Sequence, residues 1–306
     1  MTLHTGLDIL TRAQEGGYGV GAFNTDNLET TLAIVQAAEE TRSPVLLAIT
    51  AGAMSYSERR IVDIALLEAR DASVPVAVHL DHGDSFEICM WCIRHGFTSV
   101  MIDKSHEDEA TNTRETRRVV DAARAVGVSV EAEIGKLGGI DAGAESEEGN
   151  AQITSAEEAT RFLEASGCDT LAIAVGTAHG PNKGIGRPHI AVERIAEIRA
   201  RVSAPLVMHG ASSVPADVVK RFKAAGGELD GAVGIHDEDI RKAIGNGMCK
   251  VNVGTDLRIA SSTAIRELVN AQPGEIDMRK ILKPARAEMT RVIAEKMRLL
   301  GSAGEA

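Results

Sequence analysis

The sequence predicts a closed (β/α)8 barrel, and three observations carry that expectation. Eight short apolar, β-branched runs alternate with amphipathic helical stretches from end to end. The runs are almost continuously hydrophobic, as parallel strands buried on both faces are. The polar residues able to do chemistry cluster where the runs end, which is where a barrel of this kind keeps its site.

Taken in order, the strand candidates are residues 19–24 (GVGAFN), 45–50 (VLLAIT), 76–82 (VAVHLDH), 99–103 (SVMID), 128–134 (VSVEAEI), 170–176 (TLAIAVG), 206–210 (LVMHG) and 250–254 (KVNVG). Helical periodicity falls between them at 28–41, 57–72, 112–126 and 191–202. Thr154 with Glu157 reads as a capping box for a helix over 158–166. A further helix over 278–300 lies beyond the barrel and is a candidate oligomer contact. An open dinucleotide-binding sheet would need G-x-G-x-x-G on the first strand–helix turn, and GGYGVGAFN breaks that pattern at Asn24. No Pro/Ser-rich hinge divides the chain, so the expectation is one barrel domain over 1–306 with a helical extension from about 278.

Composition removes several function classes. The 306 residues hold 33 Lys+Arg against 44 Asp+Glu, a net charge of −11, which disfavours phosphate-backbone binding. Aromatics make up 3%, too few for a base-stacking platform. No apolar run approaches the roughly 20 residues of a membrane span, and MTLHTGLDIL does not read as a signal peptide. Four cysteines in a chain this long do not make a disulfide framework, so a reducing cytoplasm is the expected compartment. Cys89-x-x-Cys92 lies on a helix without a second pair and reads as core packing.

The strand ends supply Asn24, Thr50, Asp81, His82, Asp103, Glu133, His179, Gly180, His209, Gly210 and the stretch Asn252–Thr255. Three of the nine histidines, His82, His179 and His209, fall at the ends of the third, sixth and seventh strands. Three imidazoles converging on one barrel mouth make a zinc site with open positions. His79 lies within a strand and reads as a packed core residue; His4, His95, His106, His189 and His236 read as surface. Asp81 adjoins His82 and is placed for proton exchange with a substrate hydroxyl. Glu133 and Asp103 suit a second metal position or hydrogen bonds to the ligating imidazoles, and for Asp103 a structural ion pair is equally open. The Gly-rich acidic segment 136–152 suits a mobile active-site loop or a merely solvated one. Gly180, Gly210-Ala211-Ser212-Ser213 and Asn252-Val253-Gly254-Thr255 follow late strands. Small residues there let backbone N–H groups cradle a phosphate.

HLDHG, SVMIDKSHED, VSVEAEIG with LGG, LAIAVGTAHG, LVMHGAS and KVNVGTDLR, in that order, resemble the class II (zinc-dependent) fructose-bisphosphate aldolases and their tagatose-bisphosphate relatives. The resemblance runs through to MRLLGSAG. It implies Zn²⁺ on His82, His179 and His209, Asp81 as the acid/base at the C4 hydroxyl, and Glu133 and Asp103 as alternative metal-site acids. It places Gly180, Gly210, Ala211, Ser212, Asn252, Gly254 and Thr255 around dihydroxyacetone phosphate and, often in this family, a monovalent cation (Na⁺ or K⁺). It sets Asn24, Thr50 and Arg279 near the far phosphate, with Arg279 reaching in from a neighbouring subunit of a homodimer or homotetramer. The implied reaction is reversible cleavage of fructose 1,6-bisphosphate to dihydroxyacetone phosphate and an aldehyde.

Some positions depart from the family pattern. Gly254 stands where strict fructose-bisphosphate members carry Asp, which opens tagatose 1,6-bisphosphate or a C6-modified, for example sulfonated, ketose 1-phosphate as the substrate. The stretch 50–56 (TAGAMSY) lacks a family lysine, and Asp141 replaces the longer acid of the family's mobile loop as the candidate C3 proton shuttle. Two competing readings are a Schiff-base aldolase using Lys250 or Lys104, and a non-catalytic sugar-phosphate-binding barrel.

Overall fold

The computed structural model describes residues 3–135, 138–141, 144–145, 153–179, 190–229 and 234–306, with the side chains of 138–141, 144–145 and 178–179 left aside. Eight parallel strands close a barrel: β1 (Val20–Asn24), β2 (Val45–Thr50), β3 (Val76–Gly83), β4 (Ser99–Ile102), β5 (Ser129–Ile134), β6 (Thr170–Ile173), β7 (Leu206–Met208) and β8 (Met248–Val253). Each pairs with its sequence neighbours, and β8 pairs with β1 through Val20↔Lys250 and Ala22↔Asn252. All eight strands expected from the sequence are present. Four of them end one to three residues sooner than expected.

The outer layer follows in chain order: α1 (Gly6–Gly16), α2 (Leu28–Thr41), α3 (Ala51–Tyr56), α4 (Arg60–Asp71), α5 (Phe86–Arg94), α6 (Glu109–Arg124), α7 (Ala156–Ser166), α8 (Val192–Arg199), α9 (Ala216–Ala224), α10 (Asp237–Gly245), α11 (Thr255–Ala271) and α12 (Met278–Leu300). The helix expected over 57–72 is α4, which begins only at Arg60, and the short α3 before it was not foreseen. Glu58 (φ 49°) and Arg59 (φ 69°) adopt the left-handed conformation between α3 and α4, which a continuous helix cannot contain. The capping box of α7 is Ser155 with Glu158, one residue later than expected. Thr154 instead ties Ile134 to Ala174, accepting from the Ala174 amide at 3.0 Å and donating to the Ile134 carbonyl at 3.1 Å.

α1 had no counterpart in the sequence reading. It packs over the strand starts so closely that a Cβ on Gly6 would meet Ser99 Oγ at 2.6 Å. α12 packs on the chain's own α2 and α11 and ends with Leu300 O accepting from the Gly19 amide at 2.9 Å. No helix among the described residues is long and apolar enough to cross a membrane.

Strand alternation sorts the core into two layers. Phe23, Leu47, Ile49, Val78 and Leu80 pack outward beneath the helices. Val20, Ala22, Leu46, Ala48 and Ala77 fill the lower barrel against Ile9, Leu10 and Ala13 of α1. Cys89 and Cys92 are buried free thiols within the outer core, as expected. His4, His95, His106 and His236 are part-exposed or exposed; His189 lies outside the described residues.

Candidate functional site

Neighbouring strand residues normally face opposite ways, yet Asp81 and His82 both serve the barrel mouth. The backbone makes this possible: His82 sits at φ 52°, and the β3–β4 register shifts between Leu80 and Gly83. Gly83 allows the bend, since a Cβ there would meet Met101 O at 2.5 Å. His82 Nδ1 donates to Asp103 Oδ2 at 2.7 Å, while Asp103 Oδ1 accepts from the Ser105 amide at 3.0 Å and hydroxyl at 2.8 Å. The His82 and His209 rings meet edge-on with centroids 4.6 Å apart.

Two donor groups result, each offering ligand atoms within 4.8 Å of one another: Asp81, His82 and His209, and His82, Asp103 and Glu133. The first set joins two imidazoles with a carboxylate and the second one imidazole with two carboxylates, donors that suit a divalent metal ion. His82 and His209 are charged in the metal-free protein. Burial alone would depress both. Asp81, Asp103 and Glu133 outweigh it at His82, raising its pKa to about 10, and Glu133 and Glu131 raise His209 to about 9. The backbone of His179 pairs with Gly139 in a small sheet with 138–141 and 144–145. Part of the expected loop is therefore strand, because it pairs with the segment after β6. The side chains of His179 and Asp141, and all of Gly180, lie outside the described set.

Asp81 is held from both sides. Asn24 Nδ2 donates to its Oδ2 at 2.8 Å and Asn252 Nδ2 to its Oδ1 at 2.9 Å. Burial would raise its pKa, but the charges of His82, Lys250 and His209 prevail and hold it down to about 2. The carboxylate is thus ionised and aimed. Gly254 has φ −132°, a value any residue can adopt, so it does not serve a glycine-only turn. What needs glycine is the approach of Asn24, whose Oδ1 lies 2.1 Å from where a Cβ would stand.

Gly210 (φ 61°), buried Ala211 and Ser212, and Thr255 at the start of α11 frame the loops after β7 and β8. Lys296 of α12 joins these loops from beneath: its Nζ lies 3.0 Å from Asp256 Oδ2 and donates to Ser213 O at 3.2 Å. Thr50 caps α3, accepting from the Ala53 amide at 3.2 Å. Arg279 is not brought to its own chain's cluster; its side chain is 91% exposed and pairs with Asp277.

Below the mouth lies a group whose full extent the sequence reading missed. Lys250 Nζ donates to both oxygens of Glu131 at 2.8 and 2.7 Å and to His79 Nε2 at 3.1 Å, all fully enclosed. His79 Nδ1 donates to Ser99 Oγ at 2.8 Å, and burial followed by the Lys250 charge lowers its pKa to about 3. His79 is a core residue as expected, and Lys250 is ion-paired inside the barrel, away from the role of imine-forming amine. The signal for Glu131 was its place two residues before Glu133, on the same inward face.

A family model described as "Fructose-bisphosphate aldolase class-II" matches residues 4–305. The chain belongs to that family. As a member it is a metal-dependent aldolase, a carbon–carbon lyase. It is 55% identical over 304 residues to the fructose-bisphosphate aldolase of Thermus caldophilus, covering 99% of this chain and 100% of that one. It is 42% identical to that of Helicobacter pylori strain J99, covering 98% of each. Among solved structures it is similar to the YdjI aldolase of Escherichia coli K12, with TM-score 0.81, 30% identity and 99% of both chains covered.

Proposed function

We propose that this family member cleaves fructose 1,6-bisphosphate reversibly to dihydroxyacetone phosphate and glyceraldehyde 3-phosphate, with zinc held by His82, His209 and His179. Asp103 and Glu133 are the acids that steady the imidazoles or offer a second metal position. Bound there, the metal supplies positive charge beside the ketose carbonyl, where negative charge develops as the C3–C4 bond breaks. The observation that carries the reading is the Asp81 carboxylate, held by two asparagine amides beside two converging imidazoles.

Asp81 takes the C4 hydroxyl proton as the bond breaks and returns it in the aldol direction. Asn24 and Asn252 keep its lone pairs aimed, and the buried Asn252 Oδ1, with no partner among the described residues, accepts from a substrate hydroxyl. Backbone amides around Gly180, Gly210, Ala211, Ser212, Gly254 and Thr255 hold the C1 phosphate, with a monovalent cation beside it. Thr50 and the Arg279 of a neighbouring copy serve the other phosphate, and Asp141 is the C3 proton shuttle. The exposed Ile276 and Met278 beside Arg279 support a homodimer or homotetramer. The chain works as one barrel domain, in the cytoplasm.

A panel of ketose 1-phosphates, followed by released dihydroxyacetone phosphate, tests this. Fructose 1,6-bisphosphate should lead. The C4 epimer tagatose 1,6-bisphosphate should follow within about tenfold, because Gly254 offers no side chain to read the C4 configuration. A thousandfold preference for a C6-modified ketose would replace the substrate assignment.

A further inference from the structure

Among the buried ionisable groups, Glu131 and Lys250 have no part in the chemistry above, yet they occupy the centre of the barrel. A buried ion pair is seldom there for stability, since apolar residues of like volume often do as well. Their position points elsewhere. His209 makes two carboxylate contacts, Nδ1 to Glu133 Oε2 at 2.9 Å and Nε2 to Glu131 Oε1 at 3.0 Å. The two differ in kind. Glu133 Oε2 also lies 3.9 Å from His82 Nδ1, so the Nδ1 side of His209 faces the donor cluster. Glu131 lies one step deeper on β5, both its oxygens gripped by Lys250, which is in turn backed by His79 and Ser99.

We infer that Glu131 is the positioning residue of His209: it accepts the hydrogen bond from Nε2–H, fixes the ring and its tautomer, and leaves Nδ1 as the nitrogen presented to the metal. Lys250 keeps Glu131 ionised and in place. This rests on the reading of His209 as a ligand. A metal-ligating imidazole needs its other ring nitrogen bound to an acceptor, and losing that acceptor costs about 10–100-fold in metal affinity. In Glu131→Gln, the amide oxygen would be drawn to the Lys250 ammonium. The amide N–H would then turn toward His209 Nε2 and favour the tautomer with its proton on Nδ1.

The test is zinc affinity, measured by competition with a chromophoric chelator on the full-length wild type, Glu131→Gln and His209→Ala. Glu131→Gln should bind zinc about 10–100-fold more weakly, with its rate returning at saturating zinc. Wild-type affinity in Glu131→Gln alongside a loss in His209→Ala would overturn the positioning role. Unchanged affinity in His209→Ala would overturn the ligand reading beneath it. If Glu131→Gln does not fold, Glu131→Leu with Lys250→Met removes the charges together and should show the same weakening; normal zinc binding there would overturn the inference. In the zinc-loaded wild type, nitrogen-15 NMR should find the His209 ring proton on Nε2, and a proton on Nδ1 would equally overturn it.

Discussion

Gly254→Ala tests how tightly Asp81, the proposed acid/base, is held. The added methyl would stand 2.1 Å from Asn24 Oδ1, more than an ångström inside ordinary contact, and φ −132° lets alanine adopt the backbone without strain. The displaced group is therefore Asn24, whose amide would leave Asp81 Oδ2, now 2.8 Å away. A hydrogen bond to a charged acceptor contributes about 1.5–3 kcal/mol. If that is lost from the transition state, kcat/KM should fall about 10- to 150-fold. Overpacking should lower stability by about 1–3 kcal/mol. Steady-state cleavage, zinc content and thermal unfolding read the three effects separately. Asn24→Ala should lose a similar amount of rate. In that background Gly254→Ala should cost no more than about twofold, because contact and clash have gone together. Wild-type kcat/KM in Gly254→Ala, or full additivity with Asn24→Ala, would refute the reasoning. Gly254→Asp carries the same Cβ and should first lose rate on both C4 epimers, before its carboxylate can read either.

Asp81→Ala should keep near-normal zinc and lose about 10²–10⁴ in kcat; a rise in KM alone, seen in the same assay, would make Asp81 a binding residue. His82→Ala should lower zinc content after dialysis and slow cleavage, and normal metal content would remove it from the ligand set. On the proposed ligation zinc displaces protons held on His82 and His209, so apparent affinity should rise with pH toward about 9–10, with proton release seen by calorimetry in different buffers. For the metal-free protein the sign is opposite. Both pKa values are raised above the ordinary 6.5, so their stabilisation is complete below 6.5 and is lost as pH rises through about 9 and 10. Chemical denaturation across that range should show the decline.

The barrel was legible because each apolar run could be read from its own residues, and strand ends locate a barrel's site without tertiary information. Asp81, His82, Asp103 and His209, which the structure brings into one cluster, were picked out that way. The helix boundary at Glu58–Arg59 was not, since a left-handed turn on Glu and Arg has no signature such as glycine supplies. α1 was missed although Thr5 and Asp8 form a reciprocal cap and Gly17 closes it, both signals carried by the residues themselves. The role of Gly254 depends on Asn24, 230 positions away in the chain and adjacent only because β8 pairs with β1. Lys250 was visible as a residue and invisible as a partner of Glu131 and His79, because period-two alternation puts all three inside the barrel without showing which of them touch.

The central claim is that cleavage at this barrel mouth depends on a metal held by the imidazole–carboxylate cluster, with Asp81 moving the proton. Stripping the purified protein with a chelator, then titrating zinc back while following cleavage of fructose 1,6-bisphosphate, tests it most directly. Activity should vanish on stripping and return in proportion to bound zinc, saturating at one catalytic ion per chain in the wild type. Asp81→Ala should take up the ion without regaining the rate. Full turnover in the stripped protein, or an imine trapped by borohydride with substrate, would contradict the account.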